Sequence, residues 1–395
     1  MTDTFALEPC LPPEGDSELG DLAFELVERA VTLAAPIHPV VQQSLGELVR
    51  SMNCYYSNFI EGHETRPRDI DRALHGDFSA NPGQRALQYE ARAHIELQTA
   101  IDADEAPAIW PTDQSYITWL HERFCSRLPE EMLWAENPDN GERLRLVPGE
   151  LRDRDVRVGN HIPPRPADLP AFMRRFEEAY RPKALSRQQQ IVSVAAAHHR
   201  LLWIHPFVDG NGRVTRLMSH AMLRKLRIGS SLWSVARGLA RRADRYRDLL
   251  SAADAPRRNS LDGRGARSLE TLRAFSKFFL ETCIDQINFM NELLQPSELL
   301  RRIQLYVDDE VAAKRLPRGA FPLLREAFRA GEVARGRAPE LTGYEERRAR
   351  QVVAELLEKN LLKSSGHRAP LRLAFPIETH ERWLPKLYPA DSAPG

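Results

Sequence analysis

Cysteine, net charge and long apolar runs are the three things this 395-residue chain has little of. Its four cysteines, Cys10, Cys54, Cys125 and Cys283, lie far apart and form no CxxC pair, which argues against a disulfide framework. The chain also opens without the basic and apolar regions of a secretory leader, so a reduced, cytoplasmic protein is expected. Lys plus Arg and Asp plus Glu both number 55. With no net charge, no global field draws the chain toward nucleic acid or anionic lipid, and any charged partner must be met locally. Its apolar runs fall far short of the roughly 20 residues of a membrane span, so a soluble protein with no membrane partner is expected. Internal repeats and low-complexity tracts are missing as well. The length leaves room for two or three domains with substantial cores.

What is present is helical periodicity almost throughout. Leu22, Phe24, Leu26, Val27, Ala30, Val31 and Leu33 predict a largely buried helix over Asp21 to Leu33. A second begins at Pro39, runs through Leu45, Val49, Met52 and Tyr56 toward Glu61, and meets a natural stop at Gly62. Further helices are expected over Gln84 to Ile101, Thr112 to Arg127 and Asp168 to Tyr180. Ser186 and Gln189 form a capping-box pattern at the head of a buried helix that leads directly to His205. One stretch breaks the pattern. GELRDRDVRVGNHIPP, residues 149–164, alternates around Val156 and Val158 between glycines and prolines, the punctuation of a β-hairpin. The charge-rich stretch Arg237 to Arg247 reads as a solvated helix face with Tyr246 turned inward. Helices are expected through Phe279 and Leu293, and Pro296 reads as a boundary. Beyond it come helix, helix, short helix, a longer helix over Thr342 to Lys359, and a strand pair near Leu361 to Lys363 and Leu371 to Phe375. That order predicts a winged helix-turn-helix. The fold class is therefore mainly α: a helical bundle with a β-hairpin, followed by a winged helix.

The densest chemistry lies in HPFVDGNGRVTR, residues 205–216. Pro206 stops the preceding helix, and Val214, Leu217, Met218 and Ala221 restart a 3.6-residue period. Gly210, Asn211 and Gly212 thus sit at a helix N-terminus, where unpaired N–H groups and the dipole favour an anion. Arg213 and Arg216 share a face beside that opening and can supply forked donors to further phosphates. A polyphosphate fits such a site. His205 adds a titratable base and Asp209 a hard oxygen ligand for magnesium. Singly, these two are an ordinary loop histidine and a helix cap; beside GNGR and a second arginine they call for catalysis. His198 with His199, and Glu90 with His94, lack a third ligand and read as packing or surface residues.

HPFVDGNGRVTR matches the signature HPFx[D/E]GNGRxxR of the Fic family in full, and NHIPPRP at 160–166 is similar to that family's flap. The resemblance spans most of residues 20–290. It implies a Fic-type helical bundle that transfers AMP from ATP to a Ser, Thr or Tyr hydroxyl of a target protein, or of itself, with release of pyrophosphate. On the matching positions His205 would take the hydroxyl proton and Asp209 would hold Mg2+ or Mn2+. Gly210, Asn211 and Gly212 would form the anion hole, and Arg213 and Arg216 would hold the outer phosphates. Residues Val156, Arg157, Val158, Gly159, Asn160, His161 and Ile162 would form the target-docking flap, with Val158 and Gly159 also near the nucleotide. Tyr246 falls where relatives place a Tyr-Tyr pair near the adenine, although here the first position is Arg245. The stretch YYSNFIEGHET contains SxxxEG, which resembles the family's inhibitory pattern at Ser57, Glu61 and Gly62; Glu61 would reach Arg216 and displace the gamma phosphate.

The resulting organisation is an N-terminal helical region over 1–110 with the inhibitory helix at about 40–62, a catalytic core over 111–295 with its flap at 149–164, a winged helix over 296–376, and a C-terminal tail over 377–395. Residues 297–375 hold 16 basic and 11 acidic side chains, a balance of +5 that is compatible with DNA-backbone contacts. Glu345 and Glu346 at the head of the recognition helix weigh against that partner, and Thr342 with Glu345 reads as a capping box. Winged helices also serve protein contacts and homodimers. Rival readings are removal of AMP with Glu61 positioning a water, another nucleotidyl or phosphoryl transfer on the same site, and an ATP-sensing transcription regulator. Against the kinase branch of the superfamily, which usually has Lys there, stands Gly212.

Overall fold

The computed structural model describes residues 4–136, 141 and 143–389. Helices dominate, and polar caps set many of their starts. Asp16 caps α1 (Ser17–Ala34), accepting from the Leu19 N–H at 3.2 Å. Prolines occupy the first turns of α2 (Pro39–Ile60), α3 (Pro67–Leu74) and α4 (Pro82–Asp102), where a missing N–H costs nothing. After α5 (Gln114–Cys125) comes a short antiparallel pair, β1 (Trp134–Glu136) and β2 (Arg143–Arg145), with Trp134 opposite Arg145. Then follow α6 (Leu169–Ala179), α7 (Arg187–Ile204), α8 (Asn211–Lys225), α9 (Val235–Arg241), α10 (Ala243–Ala253) and α11 (Leu269–Leu293). The C-terminal part holds α12 (Pro296–Ala312), α13 (Ala320–Ala330), α14 (Ala338–Thr342), α15 (Glu346–Glu358), the pair β3 (Leu362–Lys363) and β4 (Arg372–Leu373), and α16 (His380–Trp383). A bridge between Val333 and Leu371 adds a third edge to β3 and β4.

The middle of the molecule is α7. Ile191, Val194, Ala195, Ala196, Ala197, Leu201 and Ile204 are all buried, and α1, α6, α8 and α11 pack around it. The run of alanines lets neighbouring backbones come close. Ser186 caps α7 by accepting from the Gln189 N–H at 3.3 Å. Because α7 and α8 are joined only by residues 205–210, the core itself fixes the connecting turn that carries the candidate site.

Several expectations are revised. Only one stripe of α1 is buried, through Leu19, Ala23, Leu26 and Leu33, whereas Phe24 and Val31 are 74% and 67% exposed; a helix on the rim of the bundle has one neighbour side. The region through Phe279 and Leu293 is a single 25-residue helix with no Pro or Gly to break it. The pair β1 and β2 was too short to leave an alternating signature. Arg237 is not solvated: it is 2% exposed, lies 3.5 Å above the Phe289 ring, and donates to Gln286 and to the Lys386 carbonyl. Thr342 does not cap α15. It ends α14, its hydroxyl donating to the Ala338 carbonyl at 2.7 Å, and Gly343 at φ 69° turns the chain before α15 begins.

The stretch after residue 376 is no free tail in its described part. Trp383, Leu384 and Leu387 are buried. Tyr56 of α2 donates its hydroxyl to the Leu387 carbonyl at 3.0 Å, and Tyr388 meets Tyr55 edge-on at 5.3 Å. Residues 384–388 thus form a strap across α2 and α9, and residues 390–395 lie outside the described residues.

Candidate active site

α7 ends on His205 in the left-handed region, φ 50° and ψ 63°, with its N–H still bonded to the Leu201 carbonyl at 2.9 Å. Pro206 forbids another helical turn, and the chain reverses through Phe207, Val208 and Asp209. Asn211 holds this reversal shut. Its side-chain amide accepts from the Phe207 N–H and donates to the Phe207 carbonyl, both at 2.9 Å. The Phe207 ring stacks on His121 of α5 at 3.9 Å, nearly parallel. Gly210 sits at the cap of α8 with φ 79°, a conformation that costs glycine little. The first N–H groups of α8 therefore open onto the turn without intrahelical partners. Gly212 is needed for space, because a Cβ there would collide with the Glu61 carboxylate.

Both arginines of the turn are engaged by carboxylates. Arg216, 4% exposed, donates from Nε to the Ser57 hydroxyl at 2.9 Å and from Nη2 to the Ser57 carbonyl at 3.2 Å, and it forms an ion pair with Glu61. Glu61 is the last-turn cap residue of α2, and Gly62 at φ 81° ends the helix there. Burial pushes the Glu61 carboxyl up, but the pull of Arg216, aided by Arg213 and His63, outweighs it and leaves the group below the ordinary range. Arg213 donates to Glu90 Oε2 at 2.6 Å, with its guanidinium over the Phe124 ring and His63 Nδ1 2.9 Å away on the same carboxylate. His63 in turn bonds Glu90 at 2.8 Å, which raises its pKa above the usual value against the opposing effect of burial.

His205 is half-buried at the mouth of the turn. Burial, then the positive charge of Arg152 and of His161, push its pKa down to about 4. The imidazole is therefore neutral at pH 7, the form able to accept a proton. Asp209 is exposed, with Oδ1 accepting from the Gly210 N–H at 2.6 Å. Among the described residues no group of three His, Cys, Asp or Glu side chains could hold a metal ion.

The hairpin expected over 149–164 is reduced to its tip. Val158 and His161 exchange both backbone hydrogen bonds, at 3.0 and 2.9 Å, around Gly159 at φ 58° and Asn160. Val158 and Ile162 are 43% and 76% exposed, so the tip offers apolar side chains outward. His161 faces the other way: its Nε2 bonds the Trp203 carbonyl at 2.7 Å and anchors the tip to α7. Arg157 bonds the Gly159 carbonyl at 2.9 Å. Tyr246, expected near an adenine, is buried. It is 3% exposed, with its hydroxyl on His198 Nε2 at 2.7 Å, part of a buried polar chain that continues to Ser219. Glu90, His63, His121 and Arg152 were missed as site residues, since each joins the turn through long-range packing that no local spacing encodes.

The site thus brings together an anion-receptive helix start, a neutral histidine beside it and two arginines behind it within a helical domain. Residues 111–223 match the model of the Fic/DOC family, and this stretch of the chain is a Fic domain. Over 77 residues the chain is 44% identical to the protein adenylyltransferase Fic of Drosophila erecta and 46% identical to that of Drosophila melanogaster, which covers 20% of this chain and 16% of each relative. The fold is shared with a Fic family protein of Desulfovibrio desulfuricans, at a TM-score of 0.53 and 16% identity over 93% of this chain and 98% of that one. A Fic domain containing signaling protein of Bacteroides thetaiotaomicron gives a TM-score of 0.52 and 20% identity over 69% and 97%.

Asn211→Ala would leave the Phe207 N–H and carbonyl without their partner, at about 1–3 kcal/mol for each buried group. A lower thermal midpoint is expected, and a midpoint equal to that of the unchanged protein would contradict the bracing role.

Proposed function

We propose that the chain is a protein adenylyltransferase held in check by its own N-terminal helix. The observation that carries this reading is the Glu61–Arg216 ion pair, with Ser57 accepting from the same guanidinium. It sets a carboxylate of α2 against the arginine best placed for the outermost phosphate of a nucleotide on the α8 N-terminus. In the transfer, His205 takes the proton of the incoming hydroxyl, whose oxygen forms a bond to the alpha phosphorus as the bond to pyrophosphate breaks. The backbone of Gly210 to Gly212 and the side chains of Arg213 and Arg216 neutralise the phosphates. Asp209 would hold a magnesium ion, which takes one or two carboxylates with the remaining positions on phosphates and water; its exposed carboxylate at the mouth of the turn fits that use. The bound metal would supply charge neutralisation on the departing pyrophosphate. The tip around Val158 to Ile162 presents an edge that an extended target segment can join.

The relatives share only about one sixth of their length with this chain, so the target is read by chemistry alone: a protein hydroxyl. The buried free cysteines suit a reducing, cytoplasmic setting. Among the described residues no helix is long and apolar enough to cross a membrane.

Residues 296–376 are read as a winged-helix module on the order α13, Val333 bridge, α14, α15, β3 and β4. Arg347, Arg350 and Gln351 lie on the exposed side of α15, where a DNA-binding member would meet base edges. Gel shifts of the full chain on genomic fragments should then weaken steeply from 50 to 200 mM salt. Absence of any shift at low salt would leave the module a protein-contact unit.

A charge-assisted hydrogen bond contributes roughly 1.5–3 kcal/mol, so Glu61→Gly should raise self-labelling by AMP about ten- to a hundredfold. Intact mass after incubation with ATP and magnesium reads the added AMP directly, and His205→Ala placed on Glu61→Gly should abolish it. Equal labelling with and without Glu61 contradicts the inhibitory contact, and labelling that survives loss of His205 assigns the base elsewhere. Metal-dependent loss of AMP from a modified target would instead favour removal as the reaction.

A further inference from the structure

One buried guanidinium beneath the turn has no part in the chemistry just described. Arg152 is 3% exposed, and its donors converge on three separate stretches of backbone. Nε donates to the His205 carbonyl at 2.8 Å, Nη1 to the Arg154 carbonyl at 2.8 Å, and Nη2 to the Pro164 carbonyl. The Arg152 N–H bonds the Pro206 carbonyl at 2.9 Å. His205 and Pro206 belong to the catalytic turn, Arg154 to the chain entering the flap, and Pro164 to the chain leaving it. None of these hydrogen-bond partners is a carboxylate. Burying a cation on carbonyls alone is costly, and the rigid five-donor fork of arginine is the side chain suited to hold three carbonyls at fixed angles.

We propose that Arg152 is a positioning residue for the transfer: one guanidinium fixes the register between His205 and both limbs of the flap, so that a hydroxyl docked on the flap meets the base. This rests on the adenylyltransferase reading. The pin has an electrostatic side as well. The charges that act on His205 are Arg152 and His161, which disfavour its protonation, and Glu61, which favours it. Removing the guanidinium therefore raises the His205 pKa, and the neutral base is lost at a higher pH than before. A lysine at the same place keeps the charge but cannot reach three carbonyls.

The test uses the full chain carrying Glu61→Gly, with Arg152→Gln and Arg152→Lys added in turn. With Arg152→Gln the maximal rate of self-labelling should fall on the order of a hundredfold, with the apparent KM for ATP unchanged. Its rate should also gain an acidic limb at higher pH, and Arg152→Lys should lose rate without moving that limb. Independently of any transfer, trypsin should cut after Arg154 or Arg157 faster in Arg152→Gln than in its parent. A maximal rate that holds, a loss expressed only in KM for ATP, or identical pH limbs in the two variants would overturn the proposal. Should Arg152→Gln fail to fold, the rate loss at constant KM and pH limb in Arg152→Lys decides. If the Glu61→Gly parent transfers no AMP, the adenylyltransferase reading falls, and the trypsin comparison still decides whether Arg152 pins the flap.

Discussion

The ion pair between Glu61 and Arg216, with two hydrogen bonds from the same guanidinium to Ser57, joins the end of α2 to the second turn of α8. Its geometry depends on a series of local constraints. Gly62 must end α2 so that Glu61 faces the turn, Gly212 must lack a side chain so that the carboxylate can enter, and Ser57 must accept from the remaining edge of the guanidinium. Arg216 is almost fully buried, so its charge needs a partner at all times. A carboxylate satisfies that need in the resting chain, and a phosphate can satisfy it equally. Exchange of one anion for the other is the physical basis of the proposed control. The opposite side of α2 is not loose either, because the strap at Leu387 and Tyr388 is bonded to Tyr56 and packed on Tyr55, next to Ser57.

The surrounding charges follow the same logic. Arg213 is matched by Glu90 as Arg216 is by Glu61, so both guanidinium charges of the turn are paired before any nucleotide arrives. His205 lies close to this balance without being drawn into it, and its low pKa leaves it uncharged. With a lone carboxylate at Asp209, a divalent ion would take most of its ligands from the nucleotide and from water. Metal and nucleotide would then bind together.

What could be read from the sequence was whatever short range decides. Pro39, Ser186 and Gly62 marked helix ends, and the spacing of Gly210, Gly212, Arg213 and Arg216 placed an anion site on a helix start. The expected reach of Glu61 to Arg216 came from the family pattern, and the structure adds Ser57 as a second partner of that guanidinium. What could not be read depends on which helix lies against which. Arg237 looked solvated because its neighbours in sequence are charged, whereas Phe289 and Lys386, far along the chain, enclose it. Tyr246 resembled an adenine contact, yet α10 turns it toward His198 in the core. His121 and Arg152 carried no local mark at all, and Glu90, noticed only for its spacing to His94, pairs instead with Arg213. The flap fared between these cases: its turn at Gly159 and Asn160 was legible, but a single bridge forms where a longer ladder was expected.

The central claim is that Glu61 stands where the outermost phosphate of ATP would otherwise bind. Crystals of the Glu61→Gly protein soaked with magnesium and a nonhydrolysable ATP analogue test it most directly. The terminal phosphate should then lie on Arg216, with the innermost phosphorus facing His205. A nucleotide bound with Arg216 still turned to Ser57 and away from phosphate, or no nucleotide at the turn, would contradict it.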